Sequence, residues 1–462
     1  MSPILFGTIS ARSRPRLDFI CLMSFSGVWH ESSCRGVVDQ KNGHSGSFSL
    51  GNAMKTPSTQ PLRAETLQGL KYFRLLGPLL QRLHDAGTAR DRAGNRQLHF
   101  DQYCALVLLM LFNPTLRSLR SLQQASELSK VQKTLGVKRI SLGSFSESSH
   151  VFDPDLMLPI LQEMAGQLQP AGFDPRLKDL HQVLTVVDGT ILKALPRLAE
   201  AMWLPSKNGQ ARHAWRLHTH FEVERYVPTR MECTDARNQG GSNERAVLRR
   251  QLEPDHCYVL DRGYAEFTFF NAIVAVGSSY VCRVKDNSSF AVVEERLLSA
   301  EAQAAGVIQD AVVQLGISSK APRRPNHPAR LVVVAVTPHV KRGGRKGKTA
   351  GPPSSERLLI ATNLLDVPAE IIALIYRYRW TIEIFFRFFK HMLGCQHLLS
   401  AYPQGIAIQA YCAIIACMLL NLWTGRKPTL RTYEMICLYF QGWASEEELF
   451  AHLEKLKQSA QG

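Results

Sequence analysis

Two aspartates each follow a short apolar run that has the composition of a buried strand. Asp188 follows the run 184–187 and precedes Gly189, and Asp261 follows the run 258–260. Two acids at the tips of neighbouring buried strands repel each other unless a cation lies between them, and hard divalent metals exploit this setting. Either aspartate alone could simply cap a turn or the following helix. The pair therefore favours a metal-dependent site without establishing one.

A third acid, Glu383, lies in an aromatic-rich segment with a helical pattern. At about 100° per residue, four polar side chains fall within roughly 40° of it: Tyr376, Arg379, Arg387 and Lys390. Such a stripe suits a metal-bound phosphodiester, with Glu383 as a metal ligand. Arg379 and Lys390 would contact phosphates on either side, and Tyr376 would position the strand.

A solvent-facing helix with ion pairs is the ordinary explanation for such charges. Arg379 and Glu383, and likewise Glu383 and Arg387, have the i,i+4 spacing of helical ion pairs. The density of aromatic residues and the two upstream aspartates make this explanation less favoured. The apolar positions of the segment can hold the helix against a sheet, so packing would aim the charged stripe.

The elements that would position these acids belong to a mixed α/β domain, predicted at 175–400. From residue 180 onward, short Val/Ile/Leu-rich runs alternate with helical patterns. Strands are predicted at 183–187, 213–223, 230–234, 257–260 and 279–284. Further strands, at 311–315, 331–336 and 358–361, would form a β-rich insertion at about 288–365. A long helix from Pro368 to about Gly394 would then carry Glu383.

Helical patterns flank this region on both sides. Residues 1–53 have no sustained period and are interpreted as a disordered or appended tail. Residues 54–150 are predicted to be an all-α DNA-binding domain, and 401–462 a helical C-terminal region. Within 119–150, a helix-turn-helix around Gly136 could place a helix in a DNA groove, but a plain packed helical pair explains the same residues equally well.

The composition of the chain indicates what kind of partner it binds and in which compartment it lies. The 462 residues contain 55 Lys and Arg against 39 Asp and Glu, which gives a formal charge of +16 and favours a polyanion such as nucleic acid. The basic residues are spread along the chain, which disfavours a membrane-surface anchor. Ten cysteines form no C-x-x-C pair, which predicts reduced, mostly buried thiols in a cytosolic protein. The apolar stretch 405–423 includes Gln409 and Asn421 and is interpreted as a buried core helix.

The spacing Tyr376-x2-Arg379-x3-Glu383-x6-Lys390 resembles the Tyr-Arg-Glu-Lys signature of DDE transposases of the insertion-sequence four (IS-four) family. Three supporting segments occur in the order of that family: Val187-Asp188-Gly189-Thr190, Leu260-Asp261-Arg262-Gly263-Tyr264 and Thr362-Asn363-Leu364. The resemblance covers residues 60–425, and its most specific part is 180–400.

The resemblance implies a ribonuclease-H-like catalytic core interrupted by the β-rich insertion. It also implies that Asp188, Asp261 and Glu383 hold two Mg²⁺ or Mn²⁺ ions and that the substrates are double-stranded DNA, namely terminal inverted repeats and target DNA. A homodimer is expected in the synaptic complex. Lys285 and Arg262 are further candidates for DNA contact, together with the four stripe residues.

One departure concerns tryptophan. Relatives that process DNA ends through a hairpin can use a tryptophan of the insertion to hold a flipped base. The six tryptophans here are at 29, 203, 215, 380, 423 and 443, and none lies between 288 and 365. Either the hairpin step is absent, or another side chain stacks on the base.

The sequence thus predicts a transposase that cleaves its element's ends and joins the freed 3′ ends to target DNA, in the cytoplasm and associated with the nucleoid of a prokaryote. Two alternatives stay open. One is a ribonuclease-H-like metal nuclease without strand transfer, and the other is a catalytically silent DNA-binding protein. The retention of all three acids and of the whole Tyr/Arg/Glu/Lys stripe argues against the silent protein.

Overall fold

A ten-stranded sheet lies at the centre of the computed structural model, which describes residues 79–84, 86, 96–168, 170, 174–193, 202–204, 212–237, 239–320, 323–336, 357–393, 399–400, 402–424 and 427–458. The predicted tail at 1–53 and the first part of the predicted helical domain lie outside these residues. By their contacts, residues Gln60–Gly462 form one compact unit.

The strands of the sheet are β1 (Val183–Lys193), β2 (Met202–Leu204), β3 (Arg212–Glu222), β4 (Val227–Asp235), β5 (His256–Leu260), β6 (Ser279–Arg283), β7 (Phe290–Glu295), β8 (Val307–Leu315), β9 (Ala329–Ala335) and β10 (Arg357–Thr362). Their spatial order is β2-β3-β1-β5-β6-β10-β9-β8-β7, and β4 pairs with β3. The pairs β1–β5 and β5–β6 are parallel, and the other pairs are antiparallel. The predicted mixed α/β architecture is confirmed, and each predicted strand overlaps an observed one.

The strands of the predicted insertion do not form a separate sheet. β10 pairs with β6, and β9, β8 and β7 follow outward, so these strands extend the main sheet to its edge. Sequence reasoning missed β2 and β7. β2 has only three residues, and β7 is an exposed edge strand that lacks the alternating burial on which strand prediction depends.

The helices are α1 (Phe100–Phe112), α2 (Leu119–Ser126), α3 (Ser129–Leu135), α4 (Leu142–Val151), α5 (Leu158–Gln167), α6 (Glu244–Arg250), α7 (Phe267–Ala275), α8 (Ala300–Ala304), α9 (Ala369–Arg377), α10 (Arg379–Leu393), α11 (Pro403–Thr424), α12 (Leu430–Phe440) and α13 (Glu446–Gln458). Short 3₁₀ turns occur at Pro154–Met157, Pro175–Leu177, Gly240–Ser242 and Arg262–Tyr264.

Helix α11 is the centre of the helical part. Its window Pro403–Leu422 has a mean hydropathy of 1.9, which together with its length would allow it to span a membrane, but 89% of this window is buried inside the protein. It packs against α1, where the Cys412 thiol donates to the carbonyl of Cys104 at 3.9 Å. The core helix predicted at 405–423 is therefore confirmed. The seven cysteines of the described residues are free thiols, and six of them are buried.

The sheet separates two apolar cores because alternate residues of a strand face opposite sides. In β1, Leu184 and Val186 belong to one core and Val187 belongs to the other. Helix α10 covers the first face, where the rings of Phe221 and Phe385 lie 4.9 Å apart. Helix α7 covers the second face with Phe269, Phe270 and Ile273. Burial on both faces explains the near-continuous apolar runs of β1 and β5.

The single long helix predicted from Pro368 is wrong in one respect. The structure has two helices, α9 and α10, separated at Tyr378, and Gly394 lies outside the described residues. The Tyr378 N–H donates to the carbonyl of Ile375, and the Thr381 N–H donates to that of Tyr378, so the junction is a tighter 3₁₀-type turn. The Tyr378 hydroxyl also donates to Asp174 Oδ2 at 2.8 Å, which fixes the junction from a distant segment.

Candidate active site

The register of the parallel strands places the two aspartates side by side. Val187 of β1 pairs with Leu260 of β5, and Asp188 and Asp261 are the next residues of each chain segment. Since adjacent strands lie roughly 4.8 Å apart, the two Cα atoms are separated by about 5 Å. β5 ends at Leu260, whereas β1 continues to Lys193. From Asp188 onward, β1 therefore no longer pairs with β5.

Local hydrogen bonds hold Asp188 within β1 and Asp261 at the start of a turn. The Gly189 N–H donates to Asp188 Oδ1 at 2.7 Å. Asp188 pairs across the sheet with Thr219 of β3, so its side chain points to the face that α10 covers. The carbonyl of Asp261 accepts from the Tyr264 N–H at 2.9 Å and closes the 3₁₀ turn Arg262–Tyr264.

The third acid is delivered by α10, which packs on β1. The apolar side of this helix, with Ile382, Phe385 and Phe389, has 0% exposure and is held in the core. Glu383 lies beside this buried side, and its Oε1 accepts a hydrogen bond from Arg379 Nη1 at 2.5 Å. The side chains of Arg379 and Glu383 are 12% and 32% exposed. The i,i+4 ion pair considered from the sequence is therefore present, but it is largely buried rather than solvent-facing.

A buried ion pair anchors the segment that leads into α9 and α10. Arg330 of β9 donates to both carboxylate oxygens of Asp310 at 2.7 Å, and these side chains are 3% and 5% exposed. Its Nη1 also donates to the carbonyls of Leu364, Leu365 and Val367. The strands of the insertion thus fix the backbone immediately before the helix pair that carries Glu383.

The pKa of Asp188 depends on its burial and on the charges of the other two acids. Burial raises the pKa of Asp188 to about 6, because it disfavours the charged carboxylate. The Gly189 N–H and the charge of Arg379 lower it, whereas the charges of Asp261 and Glu383 raise it. All three acids and Arg379 therefore lie within electrostatic range of one another.

The donor set fits a hard divalent cation by its chemistry. It consists of carboxylate oxygens, and the charged form of Asp188 is disfavoured until a cation compensates it. Among the described residues, however, no group of three or more His, Cys, Asp or Glu side chains is arranged to hold a metal ion. In this conformation Glu383 is paired with Arg379 instead.

The side chains predicted to contact DNA differ in exposure. Arg262 on the 3₁₀ turn, Lys285 after β6 and Arg387 on α10 are exposed, and Lys390 is half-buried. Tyr376 is only 8% exposed, and burial raises the pKa of its hydroxyl to about 12. Arg262, Lys285 and Arg387 thus present cations to solvent, whereas Tyr376 is buried.

Trp380 is a candidate functional residue that sequence reasoning did not select. Its side chain is 43% exposed, and the guanidinium carbon of Arg379 lies 4.9 Å from its ring centre. Ile384, one turn further on, is 48% exposed, and Arg387 follows on the same side. The available signal was a tryptophan adjacent to the charged stripe, but spacing alone does not distinguish an exposed aromatic residue from a buried one.

Comparison with known proteins shows which family the chain resembles. The family model described as the transposase DDE domain matches residues 180–420. A protein named as the transposase y4zB, from Sinorhizobium fredii, is 28% identical over 221 residues, which are 48% of this chain and 56% of that protein. A protein named as a transposase of the insertion sequence element IS5377, from Geobacillus stearothermophilus, is 26% identical over 221 residues, 47% of this chain and 51% of that protein.

The chain thus spans about half the length of these two relatives. Among solved structures, the piggyBac transposase in a synaptic complex with hairpin DNA aligns with a TM-score of 0.38 and 10% identity over 84% of each chain. The transposase family model covers more than half of the present sequence, including the segments of all three acids. The chain belongs to the transposase DDE-domain family.

Proposed function

We propose that this chain is a transposase that cleaves DNA at the inverted-repeat ends of its element and transfers the freed 3′ ends to target DNA. The observation that carries this proposal is the register-matched pair Asp188 and Asp261, coupled electrostatically to Glu383. The strand order β4-β3-β1-β5-β6 supports a ribonuclease-H-like core, in which the acids lie on the central strand, at the end of its parallel neighbour and on a covering helix.

In this proposal Asp188, Asp261 and Glu383 would hold two Mg²⁺ or Mn²⁺ ions. When bound, such ions stabilise the charge on the phosphate oxygens and lower the pKa of an attacking water or DNA 3′-hydroxyl. Arg379 has a separate role. It neutralises Glu383 in the free chain, and a DNA phosphate would offer its guanidinium an alternative anion. DNA binding would then release Glu383 toward the other two acids.

Basic side chains outside the acids would bind the DNA backbone. Around the site these are Arg262, Lys285, Arg387 and Lys390. In the N-terminal helical region, further exposed cations lie on α2 and α3 and in the segments that flank them: Arg117, Arg120, Lys133, Lys138 and Arg139. We propose that this region binds the transposon end, that two copies of the chain meet in the synaptic complex, and that the protein acts at the nucleoid in the cytoplasm.

Replacing Lys390 by Ala is expected to weaken DNA binding and to make it less dependent on salt. One lost phosphate contact releases one fewer counterion, so the slope of log K against log salt should fall by about 0.9. Fluorescence anisotropy of a labelled DNA end at several salt concentrations measures both effects. Lys178→Ala removes an exposed lysine from the segment before β1 and should leave the slope unchanged. An unchanged slope in the Lys390 variant would show that this side chain does not contact phosphate.

The experiment that tests the proposed function is a strand-cleavage assay with Mg²⁺. The substrate is DNA that carries the sequences flanking this gene, and the reaction is run in parallel with the Glu383→Gln protein. Nicks at an inverted-repeat terminus, followed by joining of the 3′ end to a second DNA, support the transposase. Cleavage without joining would favour the metal nuclease. DNA binding without cleavage by the wild-type chain would favour the silent DNA-binding protein.

A further inference from the structure

A fourth carboxylate, Glu244, lies against the backbone that follows each of the two aspartates. A Cβ atom added at Gly189 would be 3.0 Å from Glu244 Oε1, and one added at Gly263 would be 3.9 Å from Glu244 Oε2. One oxygen of this side chain thus packs on the backbone after Asp188, and the other faces the backbone after Asp261. The absence of a side chain at Gly189 is what allows the close approach.

The carboxylate is held in place by an ion pair that bridges two elements. Glu244 is the first residue of α6, and the preceding Asn243 caps this helix. Its Oε1 pairs with Nη1 of Arg216 in β3, and the two side chains are 20% and 15% exposed. Arg216 lies opposite Ile191 of β1, two residues from the cross-strand partner of Gly189. The pair therefore spans the end of β1 on the face opposite α10.

Tyr264 completes this region. Its side chain is 2% exposed, and its hydroxyl has no hydrogen-bond partner among the residues that the structure describes. Burial raises its pKa well above the ordinary value, and the charges of Asp188, Arg216 and Asp261 also act on it. A buried hydroxyl, a carboxylate and a guanidinium thus gather behind the two aspartates, and the proposed chemistry uses none of them.

We propose that Glu244, held by Arg216, is a positioning residue that fixes the backbone after Asp188 in β1 and the turn after Asp261, and so sets the spacing of these two carboxylates. The inference rests on the proposed function. Groups that hold charged ligands must be fixed to within about 0.5 Å, and supporting side chains do this by packing and hydrogen bonding. Because Arg216 neutralises Glu244, the support adds no net charge beside three acids that already repel one another.

A second ion pair provides a matched control. Arg250, at the other end of α6, pairs with Glu232 of β4, and these side chains are 43% and 29% exposed. This pair also fastens α6 to the sheet, but Glu232 is not among the atoms that lie near either glycine. If Glu244 served only to dock α6, loss of either carboxylate should have a similar effect.

The test compares Glu244→Gln with Glu232→Gln. We expect Glu244→Gln to lower the kcat of Mg²⁺-dependent nicking by about 10- to 100-fold, with the KM for DNA unchanged, since losses of this size are typical when a ligand's supporting partner is removed. Glu232→Gln should stay within about twofold of wild type. Hydrogen exchange measured by mass spectrometry, without metal or DNA, should become faster at 188–190 and 261–264 in the Glu244 variant alone.

The outcomes separate this inference from the proposed function. If the wild-type chain nicks DNA and the two variants match each other in rate and in exchange, Glu244 does not position the aspartates, although the transposase proposal stands. If the wild-type chain does not nick, the proposed function is wrong, and the exchange data still decide whether Glu244 holds the backbone at 188–190 and 261–264. If Glu244→Gln no longer shows a cooperative melting transition, the test uses Glu244→Asp instead, which keeps the charge on a shorter side chain. It should show a smaller rate loss, and a wild-type rate would overturn the inference.

Discussion

Replacing Glu383 by Gln, or either Asp188 or Asp261 by Asn, is expected to lower Mg²⁺-dependent strand cleavage by about a thousandfold or more. Each substitution removes a negative charge and leaves the shape of the side chain nearly unchanged. A bound divalent ion contributes several kcal/mol to stabilising the charge of a phosphoryl transfer, and each 1.36 kcal/mol corresponds to a factor of ten in rate. DNA binding should stay close to wild type, because it depends on cations that these variants retain.

The measurement is single-turnover nicking of a labelled transposon end, combined with a gel-shift titration of the same DNA in Ca²⁺. Glu294→Gln is the matched control, because Glu294 is an exposed carboxylate of the edge strand β7 and lies outside the candidate site. Its cleavage rate should equal that of wild type. Normal cleavage by any one of the three site variants would remove that residue from the metal-binding triad.

Asp188→Asn is expected to make the metal-free protein more stable at pH 8 than the wild type. Burial, partly offset by the Gly189 N–H and the charge of Arg379, raises the pKa of Asp188 from 3.8 to about 6 in the folded chain. Between these two values the folded chain retains a proton that the unfolded chain has released, so the free energy of unfolding falls as the pH rises. Above pH 6 the charged Asp188 lowers the free energy of unfolding by the full amount, at most about 3 kcal/mol.

Asparagine has nearly the same shape and no charge, so the variant avoids this cost. Urea denaturation at pH 8 without divalent ions should therefore give the variant a higher free energy of unfolding, and the difference should shrink toward zero at pH 4. Asp179→Asn, at an exposed position, should change stability by less than about 0.5 kcal/mol at either pH. Equal stability of the wild type and the Asp188 variant at pH 8 would show that Asp188 is not strained when charged. Mg²⁺ should stabilise the wild type more than the variant.

The strands and the acids could be predicted from sequence because their signals are local. A run rich in β-branched residues marks β1 and the short apolar run 257–260 marks β5, and each aspartate follows its run directly. The register that joins them is not local. Val187 and Leu260 are paired because two strands far apart in the chain lie in parallel, and nothing in either run specifies the partner. The family resemblance grouped Asp188 and Asp261 in one site, but it did not give this register.

Features that depend on distant partners could not be predicted. The break between α9 and α10 has no proline or glycine to mark it, and the hydrogen bond from Tyr378 reaches Asp174, 204 residues away. Glu244 belongs to no recognisable sequence motif. Its approach to Gly189 and Gly263 arises only when α6 packs on the sheet. Spacing also cannot give exposure, so it selected the buried Tyr376 and passed over the exposed Trp380.

The packing of α1 on α11 has a consequence for protein synthesis. Eleven of the 13 residues of α1 are buried, and Cys104 on α1 meets Cys412 on α11, which is 308 residues later. A ribosome that adds about 5–20 residues per second needs about 15–60 s to make the intervening chain. Phe145 and Phe152 can cover Tyr103 and Phe100 early, but throughout that interval the side of α1 that α11 covers lacks this partner and is a substrate for chaperones. The polypeptide therefore completes its helical core only after α11 has been translated.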